Sequence, residues 1–378
     1  MIREASGVDL AQGDAALKFD LVSTWTEDCG IYEYARALVS NPPLAGRIGT
    51  IFAHKGAQTK LGSETSSNIG DTSPVGKENI VHCWRKDSGP QDQLIEGLMQ
   101  SKSQFLWVQY HPSFFAPETR NSLAKHLQNT SYKSRILSVH NPEGLKDSAF
   151  AAGFTHIIVH NENALAQMGE SLANKLHIVP HFIYSRNEFE KRSRGSTFTI
   201  ATAGFAAENK QVPLLIDAFS IAHGLNPDMR LHILTSPLRT HAATFELSRI
   251  KSAAMSSRAA HAIKADLGDK SMCELMSLLS QAHLLCMPYS DTNESASGAA
   301  RLGLSAGVPI LRSNSSIFCD LPGGDLILED TNVETLAEAI LMLSKTPVLL
   351  EQKTSEIDEI YSQYSASEIA KMFDRFLR

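Results

Sequence analysis

The sequence lacks most features that mark a secreted, membrane-spanning or nucleic-acid-binding protein. Its 378 residues include five scattered cysteines and no C-x-x-C pair, which argues against a disulfide framework and a zinc site. No apolar run reaches the roughly 18 residues of a transmembrane helix, and the amino terminus has no signal-peptide core. The net charge is 35 − 41 = −6, which argues against general nucleic-acid binding. We predict a cytoplasmic protein, and peripheral contact with the inner face of a membrane stays open.

Several ligand-binding motifs are absent as well. The sequence has no G-x-G-x-x-G, which argues against a dinucleotide site, and no H-E-x-x-H or G-x-S-x-G. It also has no Asp-x-Asp pair, so no metal site of the kind that holds the diphosphate of a nucleotide-sugar is predicted. Side-chain cations and helix N termini would have to meet the charge of any bound diphosphate.

The sequence does contain short apolar runs that alternate with longer helical patterns, which is typical of an α/β protein with parallel sheets. The predicted strands are Phe19–Ser23, Arg47–Phe52, Phe105–Val108, Ile136–Val139, Ile157–Val159, His177–Val179, Thr197–Thr202, Leu231–Leu234, Leu284–Met287 and Val308–Leu311. The predicted helices are Ile31–Leu38, Ser122–Leu127, Leu214–His223, Met272–Ala282, Ser297–Ala306 and one or two within Ile357–Leu377.

Two polar stretches interrupt this alternation. Lys55–Lys77 is rich in glycine, serine and threonine and predicts a loop. Ser185–Gly195 carries charges of both signs and little apolar content, which predicts a linker. We therefore expect two α/β domains, residues 1–185 and residues 186–357, each long enough to bury its own core.

The most informative segment lies within residues 284–310. A buried strand gives way to a polar loop, and a helix is predicted from Ser297. Ser295, Ser297 and Gly298 are expected to leave backbone N–H groups open to an anion, where the helix dipole adds about half a positive charge. Glu294 has two interpretations, because a carboxylate at a helix start can cap the helix or accept hydrogen bonds from sugar hydroxyls.

This segment resembles the signature of family 4 of retaining glycosyltransferases, which have the two-domain B-type fold. The matching residues are Glu294, Ser295, Ser297, Gly298, Ala306, Gly307, Pro309 and Ile310. The resemblance implies that Glu294 contacts the donor sugar. A second glutamate of the family's E-x7-E pattern usually holds the donor's ribose and would fall at position 302, where this chain has Leu302.

A second element resembles the same family. Ile200–Lys210, with a predicted turn through Gly204, and the following Leu215–Phe219 are similar to its G-x5-K-G-x3-L-I-x-A-F element. The resemblance implies that Lys210 is a cation on the donor diphosphate. An ammonium suits that role, because negative charge gathers on a leaving diphosphate.

One further cation of that element is missing. Phe205 stands where the family often has an arginine beside the glycine. Arg301 is predicted to lie on the same helix face as Glu294, and two interpretations stay open for it: it replaces the missing cation, or it lies at the surface.

The first half of the chain contains matching elements. Thr24–Arg36 resembles a family segment in which Cys29 and Gly30 form the turn from strand to helix, where a glycine lets a ligand approach the backbone. Cys29 is predicted to pack, since no partner base is recognisable beside it. His111 follows a strand, and ligands bind beyond the carboxyl ends of strands in open α/β sheets. It resembles the family's cleft histidine, which contacts the reacting sugar, and an ordinary loop histidine is the alternative.

His140, His160 and His181 also follow strands and resemble further family elements. We rank them below His111 and favour a structural role for all three. Their spacing is not that of a helical ligand pair, so no metal site is predicted.

The resemblance runs from about residue 19 to the end of the chain. It implies an α/β protein of two Rossmann-like domains (GT-B architecture) facing across a cleft, with the C-terminal helix, residues 358–378, crossing back to the N-terminal domain. It also implies a metal-independent hexosyltransferase that needs no cofactor and uses a nucleoside-diphosphate sugar as donor substrate. The expected catalytic residues are His111, Lys210 and Glu294, and the expected donor-binding residues are Gly30, Gly204, Ser295, Ser297 and Gly298.

The implied reaction moves a sugar, with retention, to a hydroxyl of a glycan or lipid-linked glycan acceptor in bacterial polysaccharide or glycan assembly. The main alternative is a non-catalytic nucleotide-sugar-binding module that partners an active transferase, which Leu302 and Phe205 favour. An epimerase on the same scaffold would need a pair of carboxylates for acid–base chemistry, and no convincing pair is recognised.

Overall fold

The computed structural model describes residues 17–25, 29–56, 79–86, 89, 91–237, 241–292 and 294–378. Most of the predicted loop Lys55–Lys77 lies outside these residues. Within them, strands and helices alternate along the chain in two successive groups, and each group forms one parallel sheet. The predicted α/β class is therefore confirmed.

The first group forms a sheet of seven parallel strands. Its elements are β1 (Phe19–Ser23), α1 (Gly30–Val39), β2 (Ile48–His54), β3 (Ile80–Trp84), α2 (Asp92–Gln100), β4 (Phe105–Tyr110), α3 (Pro117–Leu127), β5 (Ser134–Val139), α4 (Ala149–Ala152), β6 (His156–Val159), α5 (Glu162–Ala166) and β7 (Leu176–Ile178). The strand order is β3-β2-β1-β4-β5-β6-β7, so the winding reverses between β1 and β4.

The second group repeats this arrangement with six strands. Its elements are β8 (Phe198–Phe205), α6 (Val212–Leu225), β9 (Met229–Ser236), α7 (His241–Ser256), β10 (Ile263–Asp266), α8 (Met272–Leu279), β11 (Leu284–Met287), α9 (Gly298–Ser305), β12 (Ile310–Ser313), β13 (Asp325–Leu328), α10 (Val333–Ser344), α11 (Pro347–Tyr361) and α12 (Ala366–Asp374). The order β10-β9-β8-β11-β12-β13 reverses between β8 and β11.

The central strands form where the sequence is predominantly apolar. Every residue of β1, β4 and β11 is buried, as expected for parallel strands covered on both faces. The three strands that the sequence did not predict, β3, β10 and β13, all lie at sheet edges. Edge strands are covered less completely: β10 has no buried residue and β13 has one. A strand without a continuous apolar run gives little signal in the sequence.

The predicted turn through Gly204 is wrong, because β8 continues to Phe205 and pairs with β9 over its full length. Gly204 lies inside the strand with φ at +129°, a conformation that glycine adopts without strain. A Cβ atom at Gly204 would stand 3.5 Å from the Cβ atom of Ala299. The strand therefore brings its carboxyl end against the first turn of α9.

The predicted helical segment Ile357–Leu377 consists of the end of α11 and the whole of α12, separated by residues 362–365. α12 packs on the first group of elements: the Phe373 ring lies 4.8 Å from that of Trp107 and 6.4 Å from that of Tyr34. Arg47 forms an ion pair with Asp374. The end of the chain therefore returns to the N-terminal sheet.

One buried carboxylate connects several segments at the amino-terminal end of the first sheet's strands. Asp20 in β1 is fully buried and accepts hydrogen bonds from the Thr50 amide (2.9 Å) and the Ser103 (2.7 Å) and Tyr132 (2.7 Å) hydroxyls. The hydroxyl of Ser101 is a fourth donor. Four donors around one anion compensate for the cost of removing it from water.

We expect Asp20→Asn to lower the free energy of unfolding by about 3 kcal/mol, because an amide group in place of an acceptor oxygen leaves buried donors facing another donor. The melting temperature should fall by roughly 6–10 °C. The same substitution at the exposed Asp217 of α6 is the control, and equal shifts for both variants would contradict a structural role for Asp20. Thermal denaturation followed by circular dichroism measures both.

Candidate functional site

Residues from both halves of the chain meet at the carboxyl ends of the two sheets. His111 directly follows β4, which borders the reversal point of the first sheet. Lys210 follows β8 and Glu294 follows β11, which flank the reversal point of the second. Ligands of doubly wound sheets bind at such reversal points, so the topology alone places these three residues at a binding position.

The structure brings His111 and Glu294 into direct contact. His111 Nε2 lies 3.3 Å from Glu294 Oε1. The Ser113 amide donates to His111 Nδ1 at 3.2 Å, which leaves Nε2 as the protonated nitrogen that faces the carboxylate. The two side chains are 25% and 41% exposed, so solvent and small ligands can reach the pair.

Ser295 differs from its prediction, because its amide is not open to an anion. The Ser295 amide donates to the His140 carbonyl at 3.1 Å, and its hydroxyl donates to the same oxygen at 2.7 Å. Asn161 Nδ2 donates to the Ser295 carbonyl. All three polar groups of this buried residue are therefore bound by residues of the N-terminal half.

The start of α9 agrees better with the expectation of open amides. The Ser297 hydroxyl caps the helix by accepting from the Ala300 amide at 3.2 Å. In the described part of the chain, the amides of Gly298 and Ala299 have no hydrogen-bond partner. Gly204 lies beside Ala299, so the end of β8 and the start of α9 leave two N–H donors at one place.

Gly30 begins α1, directly after the cap residue Cys29. The Cys29 sulfur accepts from the Tyr32 amide at 3.4 Å and lies 3.0 Å from the Thr24 hydroxyl oxygen. Cys29 is thus a helix cap with local partners, in agreement with its predicted packing role. Gly30 is exposed, and a Cβ atom there would have no described atom within 4 Å.

Lys210 is the cation of the site. Its ammonium lies 3.9 Å from the centroid of the Tyr289 ring. Burial lowers the pKa of Lys210 to about 8, and the charge of Glu294 raises it in part. Glu294 therefore interacts with the charge of Lys210 as well as contacting His111.

The three lower-ranked histidines form a cluster behind this site. The rings of His140, His160 and His181 lie 5.0, 5.2 and 5.0 Å from the ring of Tyr34, in contact with the core. Burial lowers the pKa of all three histidines, so they are neutral at pH 7. The structure thus assigns them a packed position, and the carbonyl of His140 accepts hydrogen bonds from Ser295 in the loop that carries Glu294.

Arg301 and Leu302 supply nothing to the cleft surface. Arg301 is fully buried and forms an ion pair with Asp320, whose carbonyl also accepts from Arg301 Nη2 at 2.8 Å. Neither interpretation of Arg301 from the sequence is therefore correct. Leu302 is 7% exposed and packs in the core. In the described residues, no group of three or more His, Cys, Asp and Glu side chains could hold a metal ion.

Sequence analysis missed two residues that shape the site. Asn161 follows β6 and reaches Ser295 in the other half, and Tyr289 follows β11 and lies beneath Lys210. Asn161 stands beside a histidine that the resemblance did single out, and Tyr289 lies in the best-matched segment. Both residues therefore stood in segments that the sequence analysis had singled out. Their partners, Ser295 and Lys210, come from distant parts of the chain and could not be inferred.

No protein-family model and no curated protein matches the chain, but solved structures do. HepE from Anabaena, in complex with UDP and glucose, is 12% identical and has a TM-score of 0.71 over 96% of this chain and 99% of HepE. A UDP-forming α,α-trehalose-phosphate synthase from Burkholderia xenovorans is 11% identical, with a TM-score of 0.69 over 96% and 98%. A trehalose-6-phosphate protein from E. coli, bound with UDP-2-fluoro glucose, is 12% identical, with a TM-score of 0.67 over 95% and 98%.

At these identities the likeness establishes the fold. The chain has two Rossmann-like domains of GT-B architecture, as the sequence predicted. The exact limits of the domains, 1–185 with 358–378 and 186–357, stay a prediction. No helix among the described residues combines the length and the apolar character that a bilayer crossing requires.

The bonds of Ser295 lead to a prediction about local stability. Asn161→Asp keeps the oxygen that caps α5 but removes the donor to the Ser295 carbonyl. Loss of one buried hydrogen bond should speed hydrogen exchange at the amides of residues 294–296 by about tenfold. Hydrogen–deuterium exchange with mass spectrometry measures this rate. Asn163→Asp adds the same charge at an exposed neighbouring position, and an equal acceleration there would show that the Asn161 bond does not hold the loop.

Proposed function

We propose that this protein is a glycosyltransferase that takes its sugar from a nucleoside-diphosphate sugar. The observation that carries the proposal is the convergence of three chemically different groups at the carboxyl ends of the sheets. These groups are the Lys210 ammonium, the free amides at the start of α9 and the His111–Glu294 pair. The fold supports it, since HepE of the same fold binds UDP and glucose.

The diphosphate is assigned to Lys210 and to the amides of Gly298 and Ala299. The amides at a helix N terminus and an ammonium can only donate hydrogen bonds. They therefore suit a diphosphate, whose oxygens only accept them. Charge on the diphosphate increases as the bond to the sugar breaks. Groups fixed in advance around that charge stabilise the transition state more than the substrate.

The sugar is assigned to His111 and Glu294. Glu294 offers acceptor oxygens to hydroxyl groups, and His111 offers the Nε2 proton. The 3.3 Å contact between them must open when a sugar enters, so each gives up one partner and gains a hydroxyl. Such hydrogen bonds orient the reacting carbon toward the acceptor.

The hydrogen bonds of Ser295 to the N-terminal domain are consistent with a cleft that excludes water from a bound donor. The loop that carries Glu294 contacts the N-terminal domain through His140 and Asn161. Closure of two domains over the donor limits its hydrolysis. The proposal extends to retention of configuration, with the leaving diphosphate accepting the acceptor's proton, and to metal independence.

We further propose a hexose as the transferred group, a glycan or lipid-linked glycan as the acceptor, and a cytoplasmic place in bacterial polysaccharide or glycan assembly. These finer assignments follow from the sequence resemblance. The second candidate is a non-catalytic nucleotide-sugar-binding module that partners an active transferase. It is favoured by Leu302, which is buried where the resembled family has a glutamate.

The lowered pKa of Lys210 leads to a prediction for nucleotide binding. Only the ammonium attracts a diphosphate, and free Lys210 loses its proton above pH 8, so affinity for UDP should fall between pH 7.5 and pH 9.5. The fall should approach about tenfold per pH unit above 8, because binding must then be accompanied by proton uptake. Isothermal titration calorimetry in buffers of different ionisation enthalpy measures both the affinity and the proton uptake.

Two variants make this prediction specific. Lys210→Arg keeps its charge at pH 9.5, so its affinity should stay nearly constant with pH. Lys251→Met removes an exposed lysine of α7 and should retain the full pH dependence. An identical pH profile in the wild type and Lys210→Arg would exclude Lys210 as the diphosphate cation. If guanosine, adenosine or thymidine diphosphate binds instead of UDP, the same series applies to that nucleotide.

A turnover experiment separates the two candidate functions. Glu294→Gln should reduce release of UDP from UDP-sugars by about 100-fold or more, while its affinity for UDP itself changes less than about threefold. His111→Phe should show the same pattern. Coupled UDP detection across a panel of UDP-hexoses, with candidate glycan acceptors, measures the rate. Tight UDP-sugar binding by the wild type without any turnover would favour the binding module.

A further inference from the structure

The Lys210 ammonium lies over the face of the Tyr289 ring, and we call this ring the seat of the ammonium. Lys210 Nζ lies 3.9 Å from the centroid of the Tyr289 ring, well within the range of a cation–π interaction. In the described residues, no hydrogen bond and no ion pair involves this nitrogen. Among the described residues, the Tyr289 ring is therefore in direct contact with the charge.

Tyr289 is itself fixed at three points. Its hydroxyl donates to the Ala203 carbonyl at 3.2 Å, its carbonyl accepts from the Ser313 hydroxyl at 2.6 Å, and its ring lies 5.0 Å from that of Phe318. Tyr289 and Ser313 are 2% and 3% exposed, so water does not compete for these bonds. A buried side chain held at both ends has little freedom to turn.

We propose that Tyr289, held by Ser313, is a positioning residue that keeps the Lys210 ammonium aimed at the donor diphosphate. This inference rests on the proposed function for its ligand but not for its geometry. Tyr289 itself does not touch the reacting atoms. It acts through Lys210.

The choice of an aromatic ring has a chemical reason. A carboxylate at this position would pair with the ammonium and cancel the charge that a diphosphate needs. A ring face attracts the cation through its quadrupole and carries no net charge. The N–H groups of the ammonium thus stay available to phosphate oxygens. Glu294 is a neighbouring carboxylate whose charge also acts on Lys210.

Ser313 links this seat to the rest of the second sheet. It ends β12, the neighbour of β11, and its short bond fixes the backbone where the polar loop begins. Three residues later, the Ser316 amide donates to Asp291 Oδ1 at 3.2 Å in the same loop. The end of β12 therefore supports the segment between the lysine's seat and Glu294.

The first experiment needs no nucleotide. In the wild type, the ε-methylene protons of Lys210 lie over a ring and should show an upfield ring-current shift in the NMR spectrum of lysine-labelled protein. Lys210→Arg assigns the signal. The shift should persist in Tyr289→Phe, which keeps the ring, and disappear in Tyr289→Leu. Ser313→Ala should reduce it, while Ser344→Ala, which removes a hydroxyl bond to a carbonyl in α10, should not.

The second experiment is a double-mutant cycle on UDP affinity, measured by calorimetry at pH 7.5. Tyr289→Leu should weaken UDP binding by about tenfold, the order of a desolvated cation–π contact, and Ser313→Ala by about threefold. Neither should weaken binding further in a Lys210→Ala background, because both act through the lysine. Tyr289→Phe should bind nearly as the wild type does.

The outcomes are distinguishable. Losses that multiply in the double variants would overturn the positioning role even if UDP binds well, since Tyr289 would then act only on the fold. An absent ring-current shift in the wild type would overturn it without reference to any ligand. A wild type that shows the shift but binds no nucleoside diphosphate would refute the proposed function and, with it, the diphosphate as the target of the seat.

Discussion

The segment from Tyr289 to Gly298 is held by both domains, and what the cleft offers to a ligand depends on that hold. On its own side, Ser313 and Ser316 fix its first residues. On the opposite side, the His140 carbonyl and the Asn161 amide group fix Ser295. The described residues of this loop, which have no regular structure, are thereby held by hydrogen bonds to distant parts of the chain. The carboxylate, the helix start and the seat of the ammonium all lie on this one path.

Charge around the cleft is distributed unevenly, and burial is the cause. The histidines at the ends of β5, β6 and β7 are packed against Tyr34 and carry no charge at pH 7. Arg301 is neutralised by Asp320 inside the protein. A buried ion pair of this kind costs much of what it gains, so it adds little to stability. Lys210 and the free amides at the start of α9 remain as groups that can attract an anion.

The sequence was sufficient for the interior of the fold and for the outline of the site. A continuous apolar run identifies β11 residue for residue, because burial on two faces leaves no polar alternation. Parallel topology puts Lys210 and Glu294 at the carboxyl ends of strands in the second sheet, and His111 at the carboxyl end of a strand in the first. The strands and the position of His111 follow from local pattern and a general rule of sheet topology, whereas the assignments of Lys210 and Glu294 follow from the family resemblance.

The rest could not be read from local pattern. Ser295 is bound by a carbonyl 155 residues away, and no periodicity encodes such a partner. Helical spacing placed Arg301 near Glu294, but the position of Asp320 decides where the guanidinium points. Gly204 resembles a turn glycine in sequence, whereas its role is to let β8 pass beside Ala299. Long-range partners and close backbone approaches are properties of the folded chain.

The chain passes between the two domains twice, and the two passages lie side by side. The Ile183 amide donates to the Tyr364 carbonyl at 2.7 Å, and the Arg186 amide donates to the Tyr361 hydroxyl at 2.8 Å. The Arg186 guanidinium lies 4.4 Å from the centroid of the Tyr361 ring. Hydrogen bonds therefore join the two crossings to each other at one place between the domains. Any movement of one domain relative to the other must therefore be accommodated at residues 183–186 and 361–364, where both passages are bonded to each other.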